Sequence, residues 1–232
     1  MISWLYKKIR EFFKDAVYAA NDGVITTFAV VAGVVGASLD PLVILVLGFA
    51  NLFADGISMA SGNYLGTKSE KDLYSKERAR NQRIREEDAG AYKERIVKLL
   101  QEKGYVEERD LKGLAECISG NKKFALDFIM HEELGLVEQE EARPAKGALV
   151  TLVAFTGAGL VPLIPYIFFA NGANTFFYAI LFTALALFGV GAARSVYTER
   201  SWFSAGVEML VVGGLAAVAA YAIGFGVRRL VD

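Results

Sequence analysis

Cysteine is nearly absent: Cys117 alone stands among 232 residues, so no intramolecular disulfide can form and a stapled secreted fold is excluded. The thiol reads as free and buried in preference to a metal ligand, and it suits a reducing compartment. Catalytic signatures are missing too. No HExxH, ExxH or CxxC pattern occurs, which removes the usual ligands of a zinc hydrolase or a ferritin-like di-iron oxidase. No GxxxxGK[ST] loop is present, against an ATP-driven pump, and neither a nucleophile and base pair nor a cofactor motif points to an enzyme. A net charge of −1 leaves no nucleic-acid footprint and no polyanionic tail.

Charge is sparse over most of the chain. Residues 67–146 hold 17 of the 25 Lys/Arg and 18 of the 26 Asp/Glu, and the other 152 residues share 16 charges. A soluble domain spreads its charge over its whole surface, so this partition excludes one. A hydrocarbon core about 30 Å thick needs roughly 20 mostly apolar helical residues. Five segments qualify: Ala16 to Ser38, Pro41 to Leu65, Gly147 to Ala170, Ala173 to Ala193 and Phe203 to Val227. The expected fold class is therefore all-α, a polytopic membrane protein with five transmembrane helices and a cytoplasmic three-helix insert between the second and third.

The expected divisions are an interfacial amphipathic helix over 1–15, transmembrane helices 1 and 2 over 16–66, the insert over 67–146, and helices 3 to 5 over 147–232. The first of these mixes Trp4, Leu5, Ile9, Phe12 and Phe13 with Lys7, Lys8, Arg10 and Lys14 and has no signal cleavage site. Basic residues in this arm, in the insert and at Arg194 and Arg200 all fall on one side, which the positive-inside rule assigns to the cytoplasm. The carboxyl end then lies outside with Arg228 and Arg229, a mild exception. With no targeting extension, a prokaryotic plasma membrane is the expected location. Glycines crowd the spans, Gly62 and Gly66 among them, and read as close helix packing. Pro162 and Pro165 remove backbone donors and should bend or break the third span, or cap its end.

The insert reads as one helix of some 40 residues from Tyr64 to Lys103, a second over Glu107 to Ile118, and a third from the N-cap Asn121 to Gly135. Phe124, Phe128 and the cluster Leu134 to Val137 offer its packing face. So small a domain is expected to lean on a second copy or on the membrane.

Charges within spans call for a function, because insertion of an ionisable side chain at mid-membrane costs at least ~2.5 kcal/mol. Asp22 is one, with helix capping at headgroup depth as the plainer alternative. In the second span Asn51, Asp55, Met59 and Asn63 recur every four residues, one helical stripe of amide, carboxylate, thioether and amide. Hard oxygen with thioether sulfur suits Fe2+ or Mn2+ better than Mg2+. Glu208 reads as a partner for Arg194 or Arg200 or as an interfacial charge, ahead of a proton site. In the insert, Glu77, Glu86, Glu87, Glu94, Asp127, Met130, His131, Glu132 and Glu133 are either a solvated acidic face or metal ligands, and Asp127 and His131, one turn apart, could share an ion.

Asn21-Asp22-Gly23-Val24-Ile25-Thr26-Thr27-Phe28, Ala54-Asp55-Gly56-Ile57-Ser58-Met59, the segment from Asp127 to Leu136 and Pro162-Leu163-Ile164-Pro165 together resemble the vacuolar iron transporter family, nodulin-21-like proteins included. The resemblance covers nearly the whole chain. It implies a dimeric five-span fold, a cytoplasmic helical metal-binding domain, and export of Fe2+, often also Mn2+, in exchange for protons. By position it makes Asp22 and Met59 path residues at the dimer interface and Met130 and Glu133 ligands in the insert. Two departures stand out. Many members have a second-span glutamate where this chain has Asn51, with an acid one turn later at Asp55. The paired ExxE clusters of the long helix are replaced near Asn81, Ile84, Tyr92 and Arg95, and a methionine by Ile129.

The expected function is a homodimeric secondary transporter, not an enzyme, without a cofactor, exporting Fe2+ or Mn2+ against protons. Asp22, Asn51, Asp55 and Met59 form the path, and Glu77, Glu86, Glu87, Glu94, Met130, His131 and Glu133 are additional metal candidates. Its partners are the lipid bilayer, a second copy and divalent transition-metal ions, with no nucleic acid. The alternative is a membrane-anchored metal sensor or scaffold without transport.

Overall fold

The computed structural model describes residues 2–104, 107, 109–137, 143–169, 172, 174–196 and 200–231. Among the described residues nine α-helices follow one another and no strand occurs. Helix α1 runs unbroken over Ile2–Gly36, so the basic arm and the first span are turns of one helix. Met1 and the side chains of Trp4 to Arg10, on which the interfacial reading of the arm rests, lie outside the described residues, as do Asn171 and Ala173 of the loop after the third span.

Helix α2 occupies Pro41–Glu87, α3 Ala89–Lys103, α4 Leu111–Gly120, α5 Lys122–Glu132, α6 Pro144–Gly159, α7 Ile164–Phe168, α8 Thr175–Arg194 and α9 Trp202–Val231. Among the described residues five stretches are long and apolar enough to cross a membrane: 12–36, the first part of α2, 144–168, α8 and α9. Pro41 and Pro144 open α2 and α6, where a missing N–H costs nothing. Pro162 and Pro165 break the third span as their chemistry requires, separating α6 from α7 by a 3-10 turn over Val161–Leu163.

The chain divides into two compact units, Met1–Tyr64 with Pro144–Asp232, and Leu65–Arg143. In the first, α1 is the central helix, packed most extensively on α6 and α9 and then on α8. Glycines make that packing close. A Cβ at Gly36 would collide with the Tyr221 carbonyl and one at Gly224 with that of Gly33. Phe28, Val31, Val34, Ile44, Leu163, Tyr166 and Ala179 form the principal core. The outward faces are apolar: Leu42, Val46, Phe53 and Ile57 on α2 and Val211, Leu215, Val218 and Ile223 on α9 are all more than half exposed, as lipid-facing surface would be.

The second unit corrects several expectations. Its long helix is not continuous to Lys103. Asp88 adopts an extended backbone (φ −145°, ψ 92°) and its carboxylate accepts from the Ala91 N–H at 2.8 Å, so it ends α2 and caps α3. The insert is therefore the end of α2 plus three further helices, in place of three in all. Gly104 and Gly135, at φ 66° and 65°, close α3 and α5, and the Asn121 side chain caps α5 through the Phe124 N–H. The insert also has its own core of Tyr92, Ile96, Leu99, Leu100, Leu111, Ala115, Ile118, Ala125 and Ile129. Its α5 face is set by Ala125, Leu126, Ile129 and Met130, while Phe124 is 53% exposed and Cys117 is exposed as well.

Candidate functional site

Two Asp-Gly steps build the polar seam of the membrane unit. Gly23 lies so close to α6 that a Cβ would strike the Phe155 carbonyl, and a Cβ at Gly56 would press on Thr156, Leu152 and Phe155. Both glycines thus seat their helices at the level of Phe155. Each brings the preceding aspartate to the same depth, with the Asp55 carboxylate close enough for its charge to reach Asp22. Both are half-buried.

The register continues along both helices. Met59, two turns of stripe from Asn51, packs against Ala19, Leu52 and Phe155. One turn further, Asn63 Nδ2 donates to Asp15 Oδ2 at 3.0 Å. On the other side of the aspartates, Asn51 Nδ2 donates to Asp55 Oδ2 at 2.8 Å. Asp15, Ala19 and Asp22 on α1 therefore face Asn63, Met59 and Asp55 on α2 in antiparallel order, and all four members of the α2 stripe lie along one seam. Its polar atoms are incompletely satisfied: Asn63 Oδ1, Asn21 Oδ1 and Thr27 Oγ1 are buried without a hydrogen-bond partner. No lysine or arginine is ion-paired with Asp15, Asp22 or Asp55 among the described residues.

Glu208 behaves differently. It is paired with both Arg194 at 3.5 Å and Arg200 at 3.2 Å, which ties the end of α8 to α9 beside the aromatic cluster of Phe188, Trp202 and Phe203.

In the insert the metal candidates do not converge, and among the described residues no three His, Cys, Asp or Glu side chains are grouped to hold an ion. Asp127 accepts from Arg78 at 2.6 Å while His131 Nδ1 meets Glu132 at 2.8 Å, so these two do not share a site. Glu77 pairs with Arg80 at 3.6 Å, Glu86 accepts from Gln82, and Glu87 borders a shallow cleft of about 470 Å³ with Lys76, Arg80 and Arg83. Glu94 is exposed on α3. Met130 is 1% exposed beside the core. Glu133 is held by Arg95 through two parallel bonds of 2.7 and 2.8 Å.

A sequence model of the VIT family matches residues 13–225. The chain belongs to the VIT family. It is 32% identical over 213 residues to "Vacuolar iron transporter 1" of Oryza sativa subsp. japonica, covering 91% of this chain and 83% of that protein. Against "Vacuolar iron transporter 1" of Tulipa gesneriana it is 33% identical over 219 residues, 94% and 87% of the two chains. Against "Vacuolar iron transporter" of Plasmodium falciparum (isolate 3D7) it is 28% identical over 223 residues, 93% and 82%.

The VIT match spans both units, including the seam and the insert. Sequence reasoning on this VIT chain passed over Asp15, grouped with the arm instead of the span, and left Asn63 out of the site. A signal existed: Asp15 and Asp22 are seven residues apart, two helical turns, and so share a face.

Proposed function

We propose that this VIT family protein is a homodimeric secondary transporter that exports Fe2+, and also Mn2+, from the cytoplasm in exchange for protons along the α1/α2 seam. The observation that carries this reading is the pair Asp22 and Asp55, two carboxylates brought to one depth by Gly23 and Gly56, with no lysine or arginine ion-paired to either among the described residues. Facing carboxylates in a low-dielectric setting are neutralised by one divalent cation or by protons, and the two occupants exclude one another. That exclusivity is what exchange requires. Met59 adds a thioether favouring a transition ion over Mg2+, and Asn51 supplies an amide oxygen beside Asp55.

Asp15 and Asn63 extend the seam toward the basic arm and the insert, the side that the positive-inside rule assigns to the cytoplasm. They form its cytoplasmic mouth. A second copy packed on this seam would let Asp22, Asp55 and Met59 of each subunit line one path. The names of the relatives support iron as cargo.

Metal uptake into proteoliposomes under a pH gradient tests the reading. Flux should need the gradient and fall to the level of protein-free vesicles in Asp22→Ala. Equal flux by Asp22→Ala and the unsubstituted protein would remove Asp22 from the path.

A further inference from the structure

The acids of the insert include one whose two oxygens are both already engaged by a cation. Both oxygens of Glu133, just past α5, are taken by Arg95 of α3: Nε donates to Oε2 at 2.7 Å and Nη2 to Oε1 at 2.8 Å. The third arm of the same guanidinium reaches α2, where Nη1 donates to Asn81 Oδ1 at 2.9 Å. Asn81 is 2% exposed, and its remaining donor goes to the Glu77 carbonyl at 2.9 Å. The network borders the hydrophobic core, since Tyr92 is 1% exposed and feels the charges of Arg95, Arg85 and Glu133. Two further arginines make the same kind of bridge, Arg78 from α2 to Asp127 on α5 and Arg85 from α2 to the Ser119 carbonyl at the end of α4.

We infer that Arg95 is a built-in cation that joins α2, α3 and α5 of the insert through Asn81 and Glu133, so that the insert holds its fold without metal and does not use Glu133 or Met130 as metal ligands. A guanidinium offers a rigid planar fork that matches a carboxylate bidentately and cannot lose its charge. A metal ion at Glu133 would have to displace that fork and leave both the Arg95 charge and the Asn81 oxygen without their partner. Met130 does not compensate, because its side chain is buried, 1% exposed, and the one nearby imidazole, His131, is turned to Glu132. The insert then serves as a metal-independent scaffold of the transporter, which also removes it as a metal sensor.

Hydrogen–deuterium exchange of the full chain in lipid nanodiscs, with and without millimolar Mn2+, tests this inference. The unsubstituted protein should give identical exchange in residues 89–103 and 122–137 in both conditions. Arg95→Gln should speed exchange in the same two segments by about tenfold, the expected loss when a charge-assisted pair is broken. Arg95→Lys, which keeps the charge and loses the fork, should fall between. Slower exchange of these segments on adding Mn2+ to the unsubstituted protein would overturn the inference, and so would an Arg95→Gln protein that exchanges like its parent. Flux measured after the same purified proteins are reconstituted into proteoliposomes reads the seam separately, so a failed transport reading leaves the exchange result standing.

Discussion

In the membrane unit Asp22 and Asp55 face each other with the Asn51 amide as the side-chain donor on the pair, whereas in the insert Asp127, Glu133 and Glu116 each hold an arginine or lysine at 2.6, 2.7 and 2.9 Å. The contrast runs opposite to the cost of charge, which is highest in the membrane unit, where the aspartates have no ion-paired lysine or arginine among the described residues. A carboxylate that already owns a cation is a structural fastener. One that lacks a cation in apolar surroundings has to take one up, as a proton or as an ion. On the proposed reading, the acid-rich insert is the structural half and the acid-poor membrane unit the half that carries the chemistry.

The sharpest way to break this contrast is to give the membrane acids what the insert acids have. Asn51→Lys places an ammonium one turn from Asp55, where the amide now donates at 2.8 Å, and should convert Asp55 into a fastened carboxylate. Flux in proteoliposomes is expected to drop to background while the protein still inserts and runs at its normal size on gel filtration. Asn51→Gln, which retains the amide, should keep most of the flux. A lysine variant that transports normally would show that Asp55 need not be free to exchange its partner.

A smaller effect is expected in the other unit, on stability instead of flux. Ile129 is fully buried in the core shared by α3, α4 and α5, so Ile129→Ala should destabilise the insert by about 2 to 5 kcal/mol, read as faster amide exchange across residues 89–132. Exchange in α8 and α9 is expected to be unchanged. If those helices loosened equally, the two units would not be separate in energy.

How much of this was legible in the sequence depends on the range of the forces involved. The five spans were readable because length and hydropathy are local properties of a bilayer-crossing helix, and the α2 stripe was readable because a four-residue spacing fixes a face. The broken third span followed from Pro162 and Pro165, and the pairing of Glu208 from the nearby arginines. What escaped was set by contacts between helices. Asp15 belongs to the seam through Asn63, 48 residues away. Glu133 looked like a ligand until Arg95, 38 residues earlier, closed on it. The stop at Asp88 was missed because a capping aspartate inside a run of charged helix formers resembles any other acid, and of the expected α5 face Phe128 packs on the core while Phe124 is exposed, because Ala125 is the residue that fits against α3 and α4.

The smallest predicted effect sharpens the contrast from the insert side. Glu116 on α4 is fully exposed, and the hydrogen bond and charge of Lys93 hold its carboxyl below the ordinary 4.5. A depressed folded-state value means that the pair contributes stability above the unfolded-state value and loses it as pH falls through the folded one. Glu116→Gln should therefore lower the melting temperature of the insert slightly at pH 7, and the gap between variant and parent should close on acidification below about pH 4. Salt should shrink the same gap at pH 7, because an exposed pair is screened. A gap that persists in acid would mean that Glu116 acts through its packing, and the exposed fasteners of the insert would then differ in kind from Arg95 and Glu133.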